Sequence, residues 1–378
     1  MANCVNDRAI AADRLAGFRV AGWMDALGTI LCQRNRMMRA AAGWESKLLR
    51  DRLDRLPIAE PLWITGLARS GSTILLELLA SHPQLASHRY RDFPPVLTPY
   101  LWNRLLEFMP LRPEVPAERS HQDGIMVTSD SPEAFEEPAW MAFFPNLHDS
   151  RDPPLLDDAT EQPAFERFLR DHMRKLLLVR ERPRYLAKAN YDSTRHGYLL
   201  KLFPDARFIV PIREPVWHVA SLMKQHRLFS EAQARYPAAR RHLARVGHFE
   251  FGLDRQPLHC GNQDATDEIR ALWQTGCETE GWALQWAELY GLMAKEIESD
   301  DGLAKAILVV RYEDLVAAPR ETMARIFEHG ALDPDERLLQ QAETRLHMPN
   351  YYRPQFPAAE AAAIHERTAT VAACFGYA

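Results

Sequence analysis

PLWITGLARSGSTILLELLASHP, residues 61–83, decides how this chain folds. Leu62, Trp63, Ile64 and Thr65 form an apolar, β-type run. It enters a short loop bounded by Gly66 and Gly71, and a strongly helical run, Ser72 to Ala80, leaves it. A strand, a Gly-bounded loop and a helix start make an anion site. Unpaired amide N–H groups and the positive helix end both point into the loop. Gly66 and Gly71 permit close backbone approach, the amides of Ser70, Gly71, Ser72 and Thr73 surround the anion, and the Ser72 and Thr73 hydroxyls donate to it. The spacing is that of a phosphate-binding loop, with one departure. Nucleotide triphosphatases place Lys directly after the second Gly; here that position is Ser72, and the cation in the loop is Arg69. The loop therefore suits a phosphate-like group whose charge is placed differently from that of ATP with magnesium.

Further strands lie downstream. RFIVPI, Arg207 to Ile212, follows the turn signal Phe203-Pro204-Asp205. Glu214 to Arg227 then reads as a helix with Pro215 in its first turn. AILVVR, Ala306 to Arg311, is a third strand, with a helix over Pro319 to His329 after it; Tyr185 to Lys188 is a shorter candidate. Short apolar runs alternating with helices predict an α/β fold: a P-loop-like parallel sheet flanked by helices, with helical insertions. Residues 1–56 read as a helical extension packed on the main body, with a membrane-surface or dimer contact as the other reading. Residues 57–378 form the main domain, with insertions at about 84–160 (Pro-rich) and 228–280 (polar). Such insertions beside a nucleotide loop form substrate pockets or lids.

Arg213 stands at the end of the RFIVPI strand, where open α/β sheets bind ligands. Ser221 lies eight residues on, two turns into the next helix. Together they would grip a second phosphate.

The two elements together resemble the sulfotransferase family, enzymes that use 3′-phosphoadenosine 5′-phosphosulfate (PAPS). GLARSGST resembles the family's 5′-phosphosulfate loop in the Arg-containing form of tyrosylprotein and many bacterial sulfotransferases. IREPVWHVAS resembles its 3′-phosphate motif, with Arg213 and Ser221 at the family's spacing. YLAKAN, Tyr185 to Asn190, resembles the Lys-containing segment that precedes that motif, and VVRYEDLVAAP, Val309 to Pro319, the later strand and loop. The resemblance covers about residues 61–330. It implies transfer of a sulfuryl group from PAPS to an acceptor hydroxyl without a metal, leaving adenosine 3′,5′-bisphosphate. It also implies that Lys188 and Arg69 balance charge on the leaving phosphate and the sulfuryl group, and that Tyr312 touches the nucleotide. Arg353, in HMPNYYRPQF, is a candidate for a basic flap over the 3′-phosphate.

The acceptor hydroxyl needs a base within hydrogen-bond reach. Asp92, in SHRYRDFPPV, is the first carboxylate after Glu77 and the leading candidate; His88 and Glu133, Glu136 and Glu137 of EAFEE are rivals. Arg180 and Arg184 are candidates for the acceptor pocket. Phe93, Trp102, Phe135 and Trp140 suggest a small-molecule or lipid-like acceptor.

Composition narrows the class. A net charge of −5 argues against a nucleic-acid partner. Five scattered Cys without a Cys-x-x-Cys pair suggest neither zinc nor a disulfide framework. No apolar run approaches the roughly 20 residues that span a bilayer, and no leader is visible. The expectation is a cytoplasmic enzyme, able to form a homo-oligomer. Two other readings are an ATP-dependent phosphotransferase, with Glu313-Asp314 as its magnesium ligand, and a nucleotide-binding module without catalysis.

Overall fold

The computed structural model describes residues 14–109, 114–148, 155–348 and 353–377. Its centre is a parallel sheet of β1 (Leu62–Ile64), β2 (Leu85–Ala86), β5 (Arg184–Lys188), β6 (Arg207–Ile212) and β7 (Ile307–Arg311), in the order β2-β5-β1-β6-β7. The short strands β3 (Ala117–Glu118) and β4 (Met126–Val127) pair antiparallel within the first insertion.

Side-chain alternation along the strands builds two apolar layers. Trp63, Tyr185, Ala187, Phe208 and Val210 point to one face, against Trp140, Phe165, Tyr198 and Trp286. Leu62, Ile64, Leu186, Ile209 and Val310 point to the other, against Leu75, Leu79, Met323 and Ile326. The helix Ser72–Leu79 buries Leu75, Leu76, Leu78 and Leu79 on this second face. A third cluster joins the helices Pro215–Arg235, Glu278–Ser299 and Ala358–Cys374.

The parallel sheet flanked by helices is the expected architecture. The differences are local. The helix after β6 continues to Arg235, because no Gly or Pro interrupts it before Pro237. The Pro-rich stretch carries two short helices, Pro99–Glu107 and Glu137–Phe143, each with a proline in its first turn. Residues 312–317 turn directly into a helix after β7. The N-terminal helices Gly22–Gln33 and Asn35–Leu48 lie against the body. Met38 and Ala42 pack on Leu97 and Ala139, and the buried Lys175 ammonium meets Glu45 at 3.0 Å. Among the described residues, no helix is long and apolar enough to cross a membrane.

Candidate active site

Four parallel strands deliver their carboxyl ends to one edge of the sheet. β1 runs into the Gly66–Gly71 loop, β5 ends on Lys188, β6 is followed by Arg213 and β7 by Tyr312. This edge is where open α/β sheets hold ligands.

Two glycines shape the loop. Gly66 has φ 99°, and a Cβ there would stand 3.0 Å from the Pro211 carbonyl of β6. Gly71 has φ 102° and precedes the helix Ser72–Leu79; a Cβ there would meet the Tyr312 ring at 2.7 Å. Arg69 also lies in the left-handed region, φ 73°, a conformation that costs an L-residue roughly 1–2 kcal/mol. Neighbouring bonds hold it there: the Ser70 hydroxyl donates to the Leu67 carbonyl (2.7 Å), and His218 Nε2 donates to the Ala68 carbonyl (2.9 Å). The first-turn amides of Ser72–Leu79 have no acceptor within the helix and open toward the loop.

Arg69 Nε donates to Ser221 Oγ at 3.3 Å, so the loop and the helix after β6 meet. Its Nη1 reaches Asp123 at 2.8 Å. Arg119 also donates to Asp123 (Nε–Oδ1 2.9 Å) and, through Nη1, to Thr73 Oγ1 at 3.2 Å. Burial would raise the Asp123 carboxyl, but Arg119 and then Arg69 hold it far below the usual carboxylate range. Arg213 is buried, with its guanidinium 4.8 Å from the Tyr312 ring and 5.6 Å from Trp217. Its Nε and Nη2 have no hydrogen-bond acceptor among the described residues. Two buried donors on a fixed cation suit an anion, and they lie behind the cavity wall, which neither Arg213 nor Ser221 lines.

A cavity of about 720 Å³ opens beside the loop. Arg69, Ser72, Thr73, Arg119 and Lys188 line its polar end, while Phe93, Trp102 and Phe135 supply apolar wall. Phe18, Trp23 and Met24 close it from the N-terminal segment, and His242, His248 and Phe251 from the later insertion. Lys188 is lowered from the ordinary lysine value by burial, against an opposing pull from Glu133. Glu133 lines the cavity, and burial together with the Glu133 charge raises the Tyr90 hydroxyl far above the ordinary tyrosine value.

Several candidates lie elsewhere. Asp92 is fully buried and outside the cavity wall. Its oxygens accept from Arg180 Nη2 (2.7 and 2.6 Å), Asn103 Nδ2 (2.8 Å) and the Arg89 amide (2.9 Å), and His88 Nδ1 stands at 3.2 Å. Burial opposes ionisation, yet the bonds from His88 and Arg180 hold the carboxyl far below its ordinary value. A carboxylate so enclosed has no lone pair to offer an acceptor, so the assignment of Asp92 as base is corrected. His88 is likewise buried, with Nε2 2.9 Å from His172 Nε2. Glu136 accepts from Trp63 and Tyr185 inside the core; Glu137 reaches the cavity wall but is bound by Arg195 and His148.

The arginines assigned to the acceptor pocket are corrected too. Arg180 is committed to Asp92. Arg184 starts β5, at the opposite end from Lys188, and donates to the carbonyls of Glu60, Gly330 and Ala331. Arg353 is exposed, and residues 349–352 of its segment lie outside the described residues. Glu313, the magnesium-ligand candidate, accepts from the Glu214 amide and the Tyr377 hydroxyl. Sequence reasoning missed Arg119 and Asp123: they sit in the first insertion with no motif around them, and only the fold carries them to Thr73 and Arg69.

The fold has known counterparts. The sulfotransferase family model matches residues 61–255, just over half of the chain, and the chain belongs to that family. Among solved structures it is similar to sulfotransferase STF1 from Mycobacterium tuberculosis H37Rv, with TM-score 0.50 and 17% identity over 90% of this chain and 83% of that one. It is equally similar to sulfotransferase STF9 from Mycobacterium avium, with TM-score 0.50 and 17% identity over 88% and 82%. At such identity the likeness establishes the fold. No curated protein sequence matches.

Proposed function

We propose that this transferase moves a sulfuryl group from PAPS to the hydroxyl of a small or lipid-like acceptor. The observation that carries the reading is Arg213: a buried guanidinium with two unpartnered nitrogens, beside Tyr312 and one helix away from the Arg69 loop. That pairing of anion grips suits a nucleoside with a phosphate at each end. Gly71 supports it, because the space a side chain would fill is kept narrow against Tyr312.

PAPS supplies the activated sulfuryl group, and adenosine 3′,5′-bisphosphate leaves. Arg213 and Ser221 would hold the 3′-phosphate. The amides of residues 70–73, with the Ser72 and Thr73 hydroxyls, would hold the 5′ end. Arg69 and Lys188 would offset the charge that grows on the sulfuryl group and the leaving phosphate oxygen, with Arg119 a third cation beside Thr73. Glu133 takes the base role assigned earlier to Asp92, since it lines the same cavity as Lys188. The acceptor oxygen forms its bond to sulfur as the bond from sulfur to the phosphate oxygen breaks, and the acceptor proton passes to Glu133. The apolar walls suit an acceptor whose hydroxyl sits on an aromatic or aliphatic body.

Melting temperature with added nucleotide tests the reading. Adenosine 3′,5′-bisphosphate well above its dissociation constant should stabilise the protein by a few kcal/mol without magnesium, and Arg213→Ala should abolish the shift. Stabilisation by ATP with magnesium, and none by the bisphosphate, would overturn the reading in favour of an ATP-binding protein.

A further inference from the structure

The helices Gly22–Gln33 and Asn35–Leu48 are separated by one residue and carry Trp23, Ile30, Met37 and Trp44 at intervals of seven. Seven residues are close to two helical turns, so these positions form one stripe along each helix. All four are exposed, and Leu48 extends the stripe; Trp23 and Trp44 are 58% and 59% exposed. The inner face of the second helix is already occupied: Met38, Ala42 and Glu45 are buried against the body. An apolar outer face on a helix packed by its inner face calls for a partner.

Charge selects that partner. Residues 31–55 hold seven Lys and Arg against three Asp and Glu, in a chain whose net charge is −5. Two of those three acids are committed, Glu45 to the buried Lys175 and Asp54 to Arg50. Arg34, Arg36 and Lys47 are exposed beside the apolar stripe. Two copies joined symmetrically through this face would bring like cations together. An anionic bilayer neutralises them, takes the aliphatic side chains into its boundary, and seats tryptophan at the headgroup level.

We infer that this face docks the protein on an anionic lipid bilayer as a surface-lying helical pair. Trp23 belongs both to the stripe and to the cavity wall, so docking sets the cavity beside the lipid surface. That the docked cavity draws its acceptor from the bilayer rests on the sulfuryl-transfer reading; the docking itself does not.

Flotation of the full chain with vesicles of phosphatidylcholine, with or without phosphatidylglycerol, tests it. Binding to the anionic vesicles should exceed binding to the neutral ones by at least about tenfold and weaken as salt rises. Trp44→Glu and Met37→Glu should each reduce binding by about tenfold. The double variant Arg36→Glu, Lys47→Glu should lose the preference for anionic vesicles. The melting temperature monitors each variant's fold, and its shift with adenosine 3′,5′-bisphosphate reports separately on nucleotide binding. Absence of flotation with either vesicle would overturn the inference. So would a dimer in sedimentation that Trp44→Glu dissociates without any vesicle binding in the parent chain.

Discussion

At the residue scale, two carboxylates in the same part of the fold have opposite surroundings. Glu133 faces the cavity, whereas Asp92 is enclosed by Arg180, Asn103 and His88. Glu133→Gln should lower kcat by about 10²–10⁴-fold while leaving the melting shift with adenosine 3′,5′-bisphosphate intact. Asp92→Asn should destabilise the fold by about 3–5 kcal/mol, because it leaves the buried Arg180 short of its counter-charge; a chemical-denaturation curve checks this. Order along the chain pointed to Asp92, but the residue that claims it, Arg180, lies 88 positions away. Only tertiary structure records that claim. His218 adds a pH dependence. Burial pushes its imidazole down to about 3 from 6.5, so it is neutral when folded and protonates more readily when unfolded. Its contribution is complete above about pH 6.5 and is lost as pH falls toward 3, with a slope of up to about 1.4 kcal/mol per pH unit. Urea midpoints measured across this range should show that slope, and His218→Gln should flatten it by about one proton.

At the element scale, the Gly66–Gly71 loop and the start of the helix after β7 are built against each other. Gly71→Ala introduces a Cβ at φ 102° and 2.7 Å from the Tyr312 ring. The backbone penalty alone is about 1–2 kcal/mol. The variant should melt lower and lose most of its bisphosphate-induced shift, read in one thermal series. Strands β1 and β6 were legible because each is an apolar run entered or left through a Gly, Pro or Asp signal, and β7 because Ile307 to Val310 is an unbroken aliphatic run. Strand β2 was not, since two residues between a turn and a loop carry no period. The end of the helix Pro215–Arg235 was set too early, because the polar residues after Arg227 look like a loop until Phe229 and Ala232 are seen packed in the core.

At the scale of the whole molecule, the cavity is assembled from segments remote in sequence, and its mouth depends on their attachment. Asp25 on the helix Gly22–Gln33 pairs with Arg245 at 2.8 Å and also with Arg241, on the helix Pro237–Arg245. Asp25→Ala should free the N-terminal wall. Steady-state kinetics should then show acceptor KM raised several-fold, with bisphosphate affinity unchanged. The Gly66–Gly71 loop and the strand ends beside it were readable because short motifs encode them; the apolar cavity walls were not, because their residues share no spacing. Asp123 has a consequence at this scale. Placed against both Arg69 and Arg119, it is a resident counter-ion that keeps two guanidinium groups from repelling each other. On the proposed reading, a donor anion arriving at Arg69 would enter by exchange with a carboxylate already in place, and a stray chloride or sulfate from solvent would meet the same incumbent without a second handhold at Arg213 to help displace it.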